Sequence, residues 1–571
     1  MRKLVECVPN ISEGQDRGVI DAVAGVVGEV DGVRLLDVDP GADTNRTVIT
    51  FIGSPAGVEE AAFRVVAKAK QLIDMSRQTG AHPRHGATDV CPFVPVSGVS
   101  MEECVEIARR VGERIGTELN VPVYLYEEAA LIDERRNLAH CRKGEYEALV
   151  DKLGKPEWKP DFGPDVFDEE VARSGATNVG ARRFLVAYNI NLNTRSRAIA
   201  SDIALDVREA GRAKRDADGE ILRHADGTAI KVPGTLKAVK GVGWTIPEYD
   251  RAQVSFNLVN TDVTKPHEAF EELRRQANLR GVRVTGSELV GLIPEADLLA
   301  AGRFYLKQAG QSAGVPRRQL IETAIQSLGL REITPFDPDT RVVEYQAGLV
   351  DGALVKMTNR EFVDELSTDS PAPGGGSVAA LCGAQSAGLA AMVANLTVGK
   401  KGYEGAQERV KEIAESCQAD KDFFLDAVDA DTDAFNQVMD SFRLPKTSDA
   451  QKKSRDLAIA EATRGATRVP LSVLERVAGL LSSVAEVAEI GNKNSLSDAG
   501  VAALTAQAAA EGAYYNVLIN LDGLAALDNS GEPGFVTEAR DRAKYALAEC
   551  EQRVTAIRSV VRTRLEQALE G

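Results

Sequence analysis

Residues 46–74 read RTVITFIGSPAGVEEAAFRVVAKAKQLID. RTVITFIG has the two-residue apolar period of a strand, and from Pro55 the period lengthens to that of a helix. The same change recurs on both sides. Strands are expected over 2–12 and 32–38 around a helix near 15–28, and the loop GAHPRHGATDV leads into the apolar CPFVPV. A helix from about 100 to 119 puts Cys104, Ile107, Val111 and Ile115 on one face, and the strand VPVYLYE follows. Alternation of this kind makes a layered α/β domain.

After a Pro- and Gly-containing crossing near 155–180 the pattern restarts. Strand FLVAYNINL, helix 195–208, strands LKAVKGVGW and AQVSFNLV, helix 267–279, strand VRVTGSELV and helix 296–308 repeat the earlier order. The expectation is an α+β half made of two ferredoxin-like βαββαβ subdomains, 1–182 and 183–329. The polar stretch 216–234, with two DG turns, reads as an exposed hairpin. Residues 330–356 form a linker, and Ala-rich, strand-poor sequence over 357–571 reads as an all-helical bundle.

With 571 residues the chain exceeds any single small module. Its formal charge of −17 repels phosphate backbones and anionic membranes, so nucleic acid and membrane are not expected partners. The seven cysteines are scattered without a CxxC, which points to reduced thiols and the cytoplasm. The start lacks the apolar core of a secretory signal. Only 370–399 is long and free of acidic residues up to the bundle's first lysines, and its Ala and Gly content argues against a membrane span.

Several segments concentrate chemistry. GAHPRHG at 80–86 holds two of the five histidines, the side chain suited to proton transfer near neutrality. It reads equally as a turn with a surface histidine; His82, His85, Asp89 and Cys91 also have a metal-ligand spacing, against which stands the lack of a second ligand cluster elsewhere in the sequence. VPNISEG (with Asn10) and DVDPGADTNRT (with Asp39, Asp43, Asn45 and Arg46) set polar side chains at strand ends, for a polar substrate or for Asx turns and an ion pair. In SGATNVGARRF, Gly175, Ala176, Thr177 and Gly180 offer close approach to backbone, and Arg182 offers a carboxylate partner or a plain surface charge.

In the helical half, Gly374, Gly375 and Gly376 precede Ser377, read as the N-cap of a long helix whose exposed N–H groups suit an acceptor. Gly383, Ala387 and Ala391 suggest close helix packing. Lys400 and Lys401 at its far end complement the dipole or bind an anion. DADTDAF at 429–435 gathers three carboxylates, and Asn494, Asp498 and Asn516 lie among apolar neighbours and need partners.

VPNISEG, DVDPGADTNRTVITF, GAHPRHGATDVCPFVPV, SGATNVGARRFLVAYNINLNT and GSELVGLIP together resemble glutamate formimidoyltransferase over about 1–325. PAPGGGSVAA, LTVGKKGYE, DADTDAF, FRLPK, GNKNSLSDAGVAAL and GAYYNVLINL are similar to formimidoyltetrahydrofolate cyclodeaminase over about 356–525. Their order resembles the bifunctional formimidoyltransferase-cyclodeaminase family. The resemblance implies transfer of a formimino group from N-formimino-glutamate to tetrahydrofolate, with or without a polyglutamate tail. Cyclisation to methenyl-tetrahydrofolate with loss of ammonia follows, with no metal. It assigns His82 as general acid/base and folate contacts around 174–184. It aligns the second catalytic aspartate with 429–435, where Asp431 is preferred over Asp429 and the extra Asp433 is a departure. A homo-oligomer is expected. The alternative is a formimidoyltransferase joined to a methenyl-tetrahydrofolate cyclohydrolase-like, or purely oligomerising, folate-binding helical domain.

Overall fold

The computed structural model describes residues 3–42, 44–80, 83–246, 250–350, 352–525 and 534–570. The chain divides into two units, 1–298 with 328–348, and 299–327 with 349–571. The first is mixed α/β and the second is helical.

The first unit contains a seven-stranded sheet. Its strands are β1 (Leu4–Cys7), β2 (Asn10–Ile11), β3 (Val33–Gly41), β4 (Arg46–Gly53), β5 (Thr88–Ser97), β6 (Val123–Glu127) and β7 (Thr177–Ala181). Spatially β3 pairs with β4, β4 with β1 and β2, these with β5, and then β7 and β6 extend the sheet in parallel. Helices Arg17–Gly25, Pro55–Leu72 and Met101–Glu118 form one layer. Each starts at a residue whose side chain accepts backbone N–H: Asp16, Ser54 and, in a full capping box with Glu103, Ser100. Cys104, Ile107, Val111 and Ile115 are buried, as the spacing predicts, in a core with Val5, Cys7, Phe51 and Phe93.

One strand corrects the sequence reading. SGATNVGARRF is no open crossing: β7 within it is wholly buried between β5 and β6. It enters beside a tight backbone crossing. Gly175 has φ +65°, and a Cβ on it would lie 2.5 Å from the Gly86 Cα; one on Gly86 would lie 2.5 Å from the Ala176 carbonyl oxygen. Neither position tolerates a side chain.

The second sheet has β8 (Val186–Leu192), β9 (Arg212–Ala213) and β10 (Lys231–Val232) as a separate ribbon, then β11 (Val239–Ile246), β12 (Arg251–Leu258) and β13 (Val284–Val290). The order β11-β12-β8-β13 is antiparallel throughout. Helices Arg197–Val207 and Pro266–Leu279 accompany it. The 216–234 stretch continues the β9–β10 ribbon as exposed tight turns, with Gly219 and Gly227 at φ +87° and +83°. Residues 330–348 are packed, with Leu330, Val342 and Val343 buried. Residues 299–327, expected within the 183–329 subdomain, cluster with the helical unit.

In the second unit, Gly375–Asn395, Gln407–Phe442, Asp449–Ile490, Leu496–Ala525 and Phe535–Glu570 surround one Ala-rich core. Gly375–Asn395 is long and apolar enough to cross a membrane, yet 61% of that window is buried inside the unit. Gly383 admits the Phe424 ring, and Ala387 and Ala391 are fully covered, so the small residues serve helix packing.

Trp158 and Trp244 are the only tryptophans and both belong to the first unit, so their fluorescence reports its unfolding alone. Gly86→Ala forces its methyl against backbone atoms of residues 174 and 176, and is expected to cost about 1–3 kcal/mol. Urea unfolding read by that fluorescence checks it; an unchanged midpoint contradicts the crossing.

Candidate active sites

The seven-stranded sheet has two unlike faces. Val5 and Cys7 join the apolar core under the helices, so alternation turns Glu6 to the opposite face. Register carries that face across the sheet: Asn10 opposes Val48 and Val90, Val90 opposes Asn178, and Asp39 opposes Val48. Asn10, Asn178 and Glu6 are buried and Asp39 is half-buried. Cys141 and Leu149 cover the Val90, Tyr124 and Tyr126 end of this face, and the buried polar groups on the rest can supply the few placed polar contacts of a ligand site.

His82 lies outside the described residues, as does Asp43. The loop that follows His82 is fixed on both sides. Ser12 donates its hydroxyl to Gly86 O at 2.7 Å and its N–H to Ala87 O at 2.9 Å. Ala176 N–H gives to His85 O at 2.9 Å, and Ala87 N–H to Ser174 O at 2.7 Å. Asn45, with φ +48°, is a clip: its Oδ1 accepts from Gly14 N–H at 2.9 Å and its Nδ2 donates to Thr79 O at 2.7 Å. It thus joins the 8–14 and 79–86 loops rather than standing free for substrate.

His85, Asp89 and Cys91 do not converge as metal ligands. The Asp89 carboxylate takes Arg142 in a forked pair, Nε to Oδ1 at 3.0 Å and Nη2 to Oδ2. Cys91 Sγ lies 3.7 Å from Cys7 Sγ in the helix-side core. His85 is fully buried, its Nδ1 3.2 Å from Asn178 Nδ2, which puts the ring proton on Nε2. Burial, then the charges of Lys152 and Arg142, push it down to about 3, so it remains a neutral framework histidine. Burial likewise lowers Arg46 to about 10 in spite of Asp89 beside it.

The small residues of 174–182 do not leave room for a flat ring. The space beside Gly180 belongs to Tyr126, whose carbonyl oxygen would lie 2.6 Å from an added Cβ; the space beside Gly175 belongs to Gly86. Ala176 and Thr177 are buried, and Thr177 N–H gives to Pro122 O. Arg182 is half-buried, donates to Arg183 O at 2.9 Å and acts electrostatically on Glu6. Beside it, Arg183, Phe184, Lys265 and Asp297 line a cavity of about 400 Å³. Lys265 Nζ is 3.1 Å from the buried Asp297 carboxylate, which burial raises above its ordinary range.

In the helical unit Gly374, not Ser377, is the N-cap of Gly375–Asn395. Ser377 lies one turn in, where its hydroxyl donates to Val428 O at 2.8 Å and sits 3.4 Å from Asp431 Oδ2. A Cβ on Gly376 would overlap the Asp431 carboxylate, so that glycine lets the acid reach the helix N-terminus. Burial raises the Asp431 carboxyl above the ordinary range, partly countered by the Ser377 hydroxyl and N–H. Asn516 borders Gly375 and donates to Gly512 O. Asp429 is committed to backbone, accepting from Leu354 N–H at 2.8 Å and Val355 N–H at 3.2 Å, and Asp433 is exposed. Lys400, Lys401, Asn494 and Asp498 lie elsewhere. Asn492 N–H binds Thr397 Oγ1 at 2.9 Å, fixing that group at the other end of a 21-residue helix, roughly 30 Å from Gly375.

Residues 4–182 match the family "Formiminotransferase domain, N-terminal subdomain", 187–348 "Formiminotransferase domain" and 358–531 "Formiminotransferase-cyclodeaminase". The mouse formimidoyltransferase-cyclodeaminase is 44% identical over 524 residues, covering 91% of this chain and 93% of that one. This chain belongs to the formimidoyltransferase-cyclodeaminase family.

The two parts also have separate relatives. A glutamate formimidoyltransferase of Streptococcus pyogenes serotype M1 is 41% identical over 308 residues, 54% of this chain and 94% of its own. A methenyltetrahydrofolate cyclohydrolase of Methylorubrum extorquens is 40% identical over 167 residues, 29% of this chain and 80% of its own. Within this family member the sequence reading passed over Glu6, Asn178 and the Asp89–Arg142 pair. It also passed over Asn191 and Gln253, which hydrogen-bond at 2.8 Å across β8 and β12. The signal for that pair was present in FLVAYNINL, whose asparagines recur every second residue.

A histidine held neutral in the fold but free to protonate when unfolded loses stability as pH falls. The penalty begins below 6.5, its ordinary value, and grows until about 3. Between those limits the native first unit should lose about 1.4 kcal/mol per pH unit relative to His85→Gln. Urea midpoints by tryptophan fluorescence from pH 6.5 to 4.5 check this; parallel profiles would contradict it.

Proposed function

We propose that this chain transfers the formimino group of N-formimino-glutamate to tetrahydrofolate in its first unit. Its second unit then closes formimidoyl-tetrahydrofolate to methenyl-tetrahydrofolate with release of ammonia. The observation that carries the reading is the pairing, on one chain, of a polar buried sheet face after the GAHPRHG loop with a raised carboxyl, Asp431, at a helix N-terminus.

In the first step the folate nitrogen attacks the amidine carbon and gives its proton to His82. That proton passes to the glutamate nitrogen as the old carbon–nitrogen bond breaks, so one imidazole serves both transfers. In the second step the neighbouring folate nitrogen attacks the same carbon. Asp431, whose burial favours the protonated form, gives the departing nitrogen a proton, and the proton shed by the attacking nitrogen completes the ammonia that leaves. Ser377 and the Gly374–Gly376 backbone orient that acid, and Asn516 stands beside them. Asn10, Asp39, Arg46 and Arg182 border the first site. We assign Lys400, Lys401, Asn494 and Asp498 to folate binding as well, the two lysines being the groups suited to its anionic tail.

Similarity to a cyclohydrolase favours a second reading, in which the helical unit adds water to methenyl-tetrahydrofolate instead of expelling ammonia. The strand order β11-β12-β8-β13, with its two helices, supports a ferredoxin-like second subdomain, and β3-β4-β1/β2-β5 repeats it before β7 and β6 are added. We take 1–182, 183–329 and 357–571 as the functional divisions. Val501, Leu504, Tyr515 and Ile519 are exposed along Leu496–Ala525, which supports a homo-oligomer through that face. Its unpaired thiols support a cytoplasmic setting.

His82→Ala is expected to lower transfer by about 10²–10⁴-fold while supplied formimidoyl-tetrahydrofolate still yields ammonia. Asp431→Ala should do the reverse. Ammonia and methenyl absorbance, recorded together, check both; methenyl consumption without ammonia would favour the second reading.

A further inference from the structure

Glu6 sits in the middle of β1, opposite Ile52 and Val94, and is 3% exposed. Among the described residues no donor hydrogen-bonds its carboxyl. Burial pushes it up to about 7; Arg182 works against that and Glu344 with it, while Cys7 follows it on the strand. A buried carboxyl without a partner is costly and contributes nothing to the fold, so its counterpart is to be sought in a ligand. Asn10 and Asn178 share this face but pair with Val90, four residues along β5 from the Val94 that opposes Glu6, so Glu6 stands apart from them. The ionised Glu6 carboxyl is an acceptor with no donor among the described residues, so it calls for a donor-rich, cationic group.

We propose that Glu6 holds the amidinium of N-formimino-glutamate, its carboxylate accepting the N–H groups of the formimino nitrogens. The inference rests on the transfer reading above and deepens it. An amidinium is a planar cation whose N–H groups match a carboxylate as a guanidinium does. During transfer the bond from folate nitrogen to the amidine carbon forms, and the bond from that carbon to the glutamate nitrogen breaks. The terminal nitrogen keeps both its bond to carbon and its protons from start to finish. One carboxylate can therefore hold the travelling group throughout, while the proton leaving folate passes through His82 to glutamate. Glu6 neither gains nor loses a proton in the balance. A formyl group presents an oxygen at the same place, an acceptor facing an acceptor, so Glu6 is a specificity-determining residue that selects amidine over amide.

The test is Glu6→Gln in the full chain, with transfer from N-formimino-glutamate and from N-formyl-glutamate compared under the same conditions. We expect kcat/KM for the formimino substrate to fall about 10- to 100-fold, mostly in KM, because a charge-assisted pair is replaced by a neutral one. The rate with the formyl substrate should hold or rise, and ammonia release from supplied formimidoyl-tetrahydrofolate should be unchanged. Equal loss with both substrates, a fall under threefold with the formimino substrate, or failure of both Glu6→Gln and Glu6→Met to fold would each overturn the proposal. Wild-type protein that transfers neither group would overturn the transfer reading itself, which separates the two failures.

Discussion

The first unit depends on a sheet with two unlike faces, one wholly apolar and one that mixes a small apolar cluster with buried polar groups. Three helices cover Val5, Cys7, Phe51 and Phe93, and the hydrophobic gain there is large enough to carry polar burial on the reverse. The reverse face holds Glu6, Asn10 and Asn178, each of which would be a defect in an ordinary core. Asn178 is met inside the fold, its Nδ2 donating to Asp89 O at 2.8 Å, on strand β7, which is inserted in parallel between β5 and β6. That insertion in turn requires Gly86 and Gly175 to cross at backbone contact. The loop after His82 is thus set by the same hydrogen bonds that start β7.

The helical unit solves a similar problem by steric means. A carboxylate reaches the start of Gly375–Asn395 only because residue 376 has no side chain, and Ser377 steadies it from one turn further on. The acid is partly shielded from water, which favours its protonated form. Nearby Asp429 has a wholly different task, since its oxygens hold the 354–355 backbone.

Much of this was legible in the sequence, for reasons that are local. The stripe Cys104, Ile107, Val111, Ile115 and the Ser100–Glu103 box follow directly from helical period and capping. The small-residue face of Gly375–Asn395 follows from composition. What was hidden depends on pairing across distance. Thr177–Ala181 is short and glycine-containing, so only its neighbours β5 and β6 make it a strand. Asp429, Asp431 and Asp433 step about 200° around a helix at each second residue, so they point to different surroundings that spacing cannot rank. Glu6 lies in VEC, where period-two alternation reads as a solvent-facing residue; the layer that buries it is remote in sequence. Ser377 looked like a cap because it follows glycines, whereas Gly374 takes that place.

On the transfer reading proposed above, the Glu6 face of the seven-stranded sheet receives the transferred group. A crystal structure with N-formimino-glutamate and a non-reactive folate tests it most directly. Density for the formimino group against the Glu6 carboxyl is expected. Density on the helix side of the sheet, or only beside Lys400 and Asn494, would contradict it.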